Sequence, residues 1–316
     1  MTKILLLTIF ITSLLMAEIK MPKKIFISSG AVTDMLVSGS KLYSSTHAGC
    51  IDIFNLKSKK IIKKIKVSQI EDFMGDKADS KIYSVDVLDN QVLILSQAKR
   101  GFRRVHIYKN DKLELIIPYT KSLTISKAKF IDEDNILLGM LSNELISYNI
   151  KTKTKNWLVQ VSGAKFSDFA LNEIRSEVVV ADESGSLKIH SVKDGRLLKT
   201  LEGQNLDNVF QVAYKNGIIA TAGQDRRVVI YAYKFNSAYY KSSSFLIYSV
   251  GLSASGKLVA YSSDEDNNIT VFNTITKSIL GKFGGNKMTI SKILFLDENR
   301  LLVSSDDKNI NLYKIK

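Results

Sequence analysis

The segment VSSDDKNINLYKIK, residues 303–316, decides how the rest of the chain is read. Ile310, Leu312 and Ile315 fall among polar positions around Tyr313, the pattern of a β-strand that runs to the last residues. Such a strand needs a neighbour, because an unpaired edge offers its backbone donors and acceptors to any passing chain. Its pattern, apolar–any–usually apolar–aromatic or histidine, recurs along the sequence. It appears as IDIF ending at Phe54, VHIY at Tyr108, LISY at Tyr148, LKIH at His190, VVIY at Tyr231, ITVF at Phe272 and INLY at Tyr313. The intervals are 54, 40, 42, 41, 41 and 41 residues, which marks a repeat architecture.

Each anchor is preceded by strand-like runs such as VFQVAY and GIIATAG, or ISKILF and RLLVSSD. A few polar residues and a fourth alternating run follow it, as in KKIIKKIKV and RLLKTLEG. Four short strands per repeat of about 40 residues are the unit of a β-propeller blade. Alternation with period two, in β-branched and aromatic residues, excludes the helical solenoids of similar repeat length. The expected fold is therefore all-β, a seven-bladed propeller. The seventh unit supplies only three strands, and KKIFIS at residues 23–28 is an orphan strand ahead of the first full unit. It is expected to complete the last blade, so that the two ends of the chain interlock and no edge is left open.

Composition agrees with one continuous folded domain over residues 18–316. Hydrophobic residues make up 45% of the chain and only two prolines occur, so neither disorder nor an interdomain linker is indicated. Lys3, the apolar run ILLLTIFITSLLM and Ala17 form the charged start, short hydrophobic stretch and small terminal residue of a signal peptide, residues 1–17. Leu15 departs from that pattern, since a small residue is usual there. A periplasmic location follows as an expectation, without stable membrane insertion, because no later run reaches the length of a membrane span. Export also argues against nucleic acid as the partner of a chain with net charge +14. Six lysines in KSKKIIKKIK, residues 57–66, are read as a solvated guard on an outer strand. Cys50, the sole cysteine, is expected to be a buried hydrophobe.

The units resemble WD40-type repeats over about residues 23–316. In that family an aspartate stands six residues before the blade tryptophan, in the turn between the second and third strands. Asp225, Asp266 and Asp307 match it in QDRRVVIY, DNNITVF and DKNINLY, and a structural turn role is implied, since a carboxylate there accepts backbone N–H groups. The Trp-Asp and Gly-His pairs of the family are missing, so the family's side-chain network is expected to be largely lost. Trp157, in YNIKTKTKNW, resembles the tryptophan-docking repeats of quinone-cofactor and outer-membrane assembly propellers, but a single copy does not support a cofactor.

No catalytic motif, Walker loop or dinucleotide fingerprint occurs, so no catalytic, cofactor-binding or metal-binding residues are assigned. His190 occupies an aromatic anchor, His106 a strand position and His47 a turn. DEDNN at residues 264–268 offers oxygens but lacks a calcium-loop pattern. The long first interval places an insertion, QIEDFMGDKADSK at residues 69–81, between blades one and two. Phe73 and Met74 stand out in it as an apolar anchor within a charged segment. The blade-two turn AKRGFRR should emerge on the same side, which brings Arg100, Phe102, Arg103 and Arg104 near the insertion as a candidate partner-binding face or as its neutralising neighbours.

These features suggest a monomeric, non-catalytic scaffold for protein partners. The signal peptide, the seven units and the lysine- and isoleucine-rich composition resemble the small exported WD-repeat accessory proteins encoded with periplasmic nitrate reductase. That resemblance implies an auxiliary role in maturation or activity of the reductase, with its subunits as partners. An outer-envelope assembly propeller, or a propeller enzyme whose site is not recognisable from sequence, are the alternatives.

Overall fold

Every unit folds as a four-stranded antiparallel sheet, and seven such sheets form the blades of a propeller. The computed structural model describes residues 18–316, and the expected signal peptide lies outside the described residues. Blades one to six occupy residues 32–66, 82–117, 125–160, 166–201, 209–242 and 250–283. Blade seven combines residues 290–314 with Lys24–Ile27. Strands follow one another outward in each blade, and the first strands of neighbouring blades touch around the central channel. The core is the set of apolar layers between adjacent blades, where alternating Val, Ile, Leu and aromatic side chains of both sheets meet.

The ends interlock as the sequence suggests. Lys24–Ile27 runs antiparallel to Asn309–Lys314, with Phe26 opposite Ile310. Hydrogen bonds from Lys23 N to Leu312 O and from Ser28 N to Lys308 O, both 2.8 Å, extend the ladder beyond the strand at each end. Alternation in KIFI sends Phe26 inward, where only 1% of it is exposed. Its ring meets Phe54 of blade one edge-on at 5.5 Å, within an apolar layer shared by blades seven and one.

A second clasp has no counterpart in the repeat pattern. Ile19–Lys20 pairs in parallel with Ile279–Phe283 and gives blade six a fifth strand. Gly284 N donates to Lys20 O at 3.0 Å, and the Lys20 ammonium donates to Ile315 O at 2.8 Å. Gly285, at φ +90°, lies under Met21 and Pro22, so a side chain there would meet both the crossing segment and an unfavourable backbone.

Blade six also departs from expectation at its inner strand, which spans only Val250–Leu252 where IYSVGL suggests a longer one. The Ser262 hydroxyl accepts from Tyr248 N and Ser249 N at 2.8 and 3.3 Å, so a side chain takes the N–H groups of the first rungs and leaves Ser262 N to Ser249 O, 3.1 Å, as the backbone bond there. Among the turn aspartates, Asp225 accepts from Arg227 N and Leu206 N, and Asp307 from Asn309 N, at 2.8–3.0 Å. The expectation for Asp266 needs correction. It is exposed and accepts no hydrogen bond among the described residues, while Asp264 accepts from Asn268 N and pairs with Lys282. The reason is geometric: the longer DEDNN turn moves the carboxylate that faces the backbone two residues earlier.

Other anchors behave as packed residues. His190 is buried with Nδ1 at 2.9 Å from Gly195 O, and Cys50 is buried. In place of the missing Gly-His and Trp-Asp network, an asparagine reaches the anchor tyrosine in two blades. Asn205 donates to Tyr231 at 3.0 Å and also accepts from Thr221, while Tyr313 donates to Gly284 O beside Asn286. Trp157 lies against Gly195 of the next blade and donates to Val192 O at 3.2 Å, so this side chain does dock between blades.

Substituting Phe26→Ala removes the buried core of the clasp and is expected to destabilise the protein by about 3–5 kcal/mol. Deleting residues 22–29 should lower stability more than any other eight-residue surface deletion. Urea unfolding followed by tryptophan fluorescence checks both, and a Phe26→Ala midpoint equal to wild type would contradict the closure.

Candidate interaction face and central channel

The insertion is a built element rather than a loop. Ile70–Glu71 pairs with Lys77–Ala78 as a hairpin, buttoned down by buried Ile70. The Asp72 carboxylate accepts from Met74 N at 2.9 Å and from Asp76 N at 3.0 Å, which folds the tip over one side chain. Phe73 is left 95% exposed and Met74 71% exposed. A hairpin fixed at base and tip thus presents two adjacent apolar side chains to solvent, at a conformational cost already met by folding.

The blade-two turn stands beside it. Lys99 pairs with Glu71 at 2.6 Å, and Arg104 donates to Ser68 O and, at 3.0 Å, to the Ser80 hydroxyl. Arg103 stacks over the Tyr83 ring at 3.9 Å. Arg103 and Arg104 are therefore turned toward the protein; Lys99 and Arg100 are both exposed, and Arg100 has no ion pair among the described residues, with Phe102 half-buried next to it. So the sequence-derived residues are brought together, but they divide into an outward part, Phe73, Met74 and Arg100, and a supporting part.

The channel holds functional-looking residues that sequence reasoning did not single out. Six innermost strands skip one residue in their ladder, at Thr33, Tyr83, Ser126, Ser167, Phe210 and Ser291. A bulge of this kind turns two successive side chains toward the same side. The next position reads Asp34, Ser84, Lys127, Asp168, Gln211, Ser249 and Lys292 around the ring. The signal lies in the repeated openings VTD, IYS, ISK, FSD, VFQ, IYS and ISK, whose third residue is polar in every blade.

These polar groups stitch blades together. Asp34 of blade one accepts from Val85 N at 3.2 Å, Asp86 of blade two from Phe130 N at 2.8 Å, and Asp168 of blade four from Val212 N at 3.1 Å. Each carboxylate also has a cation: Lys129 on Asp34 at 3.1 Å, Arg175 on Asp86 at 2.7 Å and Lys127 on Asp168 at 2.6 Å. Burial would raise the Asp34 carboxyl, but Lys129, Lys292 and Lys127 outweigh it and hold it well below the usual carboxylate range. Burial pulls Lys127 down to about 8, against the pull of Asp168 and aided by Lys292 and Lys129. Buried His106, on the third strand of blade two, is pushed down to about 4 by burial and then by Arg104.

Neither a comparison of the chain with protein-family models nor one with curated proteins finds a match.

Two pH effects follow. Asp34 has a lower pKa folded than unfolded, so its stabilisation is complete above the unfolded value of 3.8 and is lost as the pH falls below it. Asp34→Asn is expected to cost about 3–5 kcal/mol at neutral pH, because Lys129 loses its partner, with the deficit narrowing in acid. His106 refuses a proton that the unfolded chain accepts below 6.5, so its contribution weakens stability as the pH falls from 6.5 to about 4. Chemical denaturation of wild type and His106→Gln between those limits, and of wild type and Asp34→Asn from neutral pH to below 3.8, reads the two effects. A His106→Gln stability curve parallel to wild type across that interval would contradict the second.

Proposed function

We propose that this protein is an exported, non-catalytic interaction scaffold that engages a protein partner through the blade-one to blade-two hairpin. The observation that carries this reading is the rigid presentation of Phe73 and Met74, both exposed on a hairpin whose base and tip are tied by hydrogen bonds. Large side chains displayed in this way anchor interfaces by filling a pocket on the partner. The exposed Arg100 beside them adds a cation to the rim, suited to an acidic patch on the partner.

The partner we propose is periplasmic nitrate reductase, with this chain as an accessory factor for its maturation or activity. Support for that step is the resemblance in export signal, repeat number and composition. A second reading, an outer-envelope assembly propeller, is favoured by one observation, the docking of Trp157 onto Gly195 of the next blade.

Affinity capture from the periplasm of cells grown anaerobically on nitrate separates the two. The expected result is recovery of a reductase subunit with wild type, and at least a tenfold loss with the double variant Phe73→Ser, Met74→Ser. Thermal unfolding of that variant should match wild type, because both side chains lie in solvent. Recovery of envelope assembly proteins without a reductase subunit would overturn the first reading.

A further inference from the structure

The channel charges do not balance. Four cations, Lys127, Lys129, Lys292 and Arg175, face three carboxylates, Asp34, Asp86 and Asp168, while Glu173 and Lys215 offset one another at the wider mouth. Three of the cations each take one carboxylate at 3.1 Å or less. Lys292 is the remainder. Its ammonium lies 3.7 Å from Asp34 Oδ1, beyond hydrogen-bond length, and that carboxylate already accepts from Met35 N, Val85 N and Lys129. Among the described residues no acceptor lies within hydrogen-bond distance of Lys292 Nζ, although its side chain is only 23% exposed. The ammonium reaches the channel's solvent with its N–H donors uncommitted, so its shell is completed from solution.

The surroundings supply further donors. Lys292, Lys127 and Ser126 line one cavity of about 170 Å³ at the bulged end of the channel, and Lys292 and Lys127 also line a second of about 280 Å³ toward the opposite mouth. Lys127 spends two of its three N–H donors, on Asp168 at 2.6 Å and Phe169 O at 2.8 Å. The Ser126 hydroxyl has no hydrogen bond within the described chain. Asp34 and Asp168 also face the first cavity and balance Lys127 and Lys292 there, so the surplus positive charge comes from Lys129 and Arg175 against Asp86 in the rest of the channel, and the two carboxylates disfavour ligands of higher negative charge.

We propose that the central channel binds a small monovalent carboxylate, with Lys292 as its counter-ion and Lys127 and Ser126 as further donors. The cavity volume admits a carboxylate of a few heavy atoms, and the surplus positive charge of the channel as a whole, not of this cavity alone, sets the preference for one negative charge. This site is independent of the hairpin face, so it stands or falls separately from the scaffold reading.

Saturation-transfer NMR of acetate with the folded protein, at constant ionic strength, tests it. Wild type should give saturable transfer with a dissociation constant in the millimolar range or tighter, and Lys292→Gln should weaken it at least tenfold. Lys292→Arg should retain binding, and Lys64→Gln, on the outer surface, should leave it unchanged. If Lys292→Gln does not fold, Ser126→Ala is the second variant, with a several-fold loss expected. Absence of saturable transfer would mean that water alone completes the Lys292 shell and would overturn the proposal. Equal binding in every variant, or competition by chloride at concentrations equal to acetate, would overturn it as well.

Discussion

The fold depends on one four-residue ladder. Lys24–Ile27 fills the outermost place of blade seven, and through Phe26 and Phe54 it welds that blade to blade one. In a closed ring each blade buries both faces against neighbours, so an open junction would expose two apolar faces at once. Placing the two ends of the chain in one blade makes closure a property of the whole sequence. The Ile19–Lys20 strand repeats the device on blade six, and the Lys20 ammonium on Ile315 O ties the beginning of the described chain directly to its last residues.

Along the axis a different force holds the blades. Buried carboxylates on the inner strands accept backbone N–H groups of the following blade, and lysines or an arginine neutralise them. Such pairs add little net stability over apolar packing, but they are strict about geometry. They fix the rotation of one blade against the next, which apolar layers of Val and Ile alone specify loosely. An uneven distribution of these groups around the ring leaves Lys292 3.7 Å from the Asp34 carboxylate it shares with Lys129, without a hydrogen-bond acceptor among the described residues, and so the same residues that set blade geometry leave its donors facing the channel.

Much of this arrangement was legible in the residues. Aromatic anchors at intervals of 40–42 residues define the blades, because a blade needs a fixed length of chain to cross and recross the same sheet. Phe73, Met74 and the basic turn were found because an insertion breaks that regularity. The Ile19–Lys20 strand was not legible, since two residues carry no alternation. Short pairing of that kind is decided by where the chain must cross. The Asp264 turn and the short inner strand of blade six escaped for a related reason: side chains there capture backbone groups, and apolar periodicity is blind to such bonds. The channel ring was present in the sequence as the third residue of each opening tripeptide, hidden because Asp, Ser, Lys and Gln share polarity and no common chemistry.

Native-state hydrogen exchange read by mass spectrometry tests the interlocked closure most directly. The account predicts that peptides covering residues 23–28 and 309–314 exchange together, with protection equal to that of the inner strands Val32–Ser38 and Ile290–Asp297. Rapid exchange of residues 23–28 while the partner strand and the inner strands stay protected would show that the chain's two ends do not close the ring.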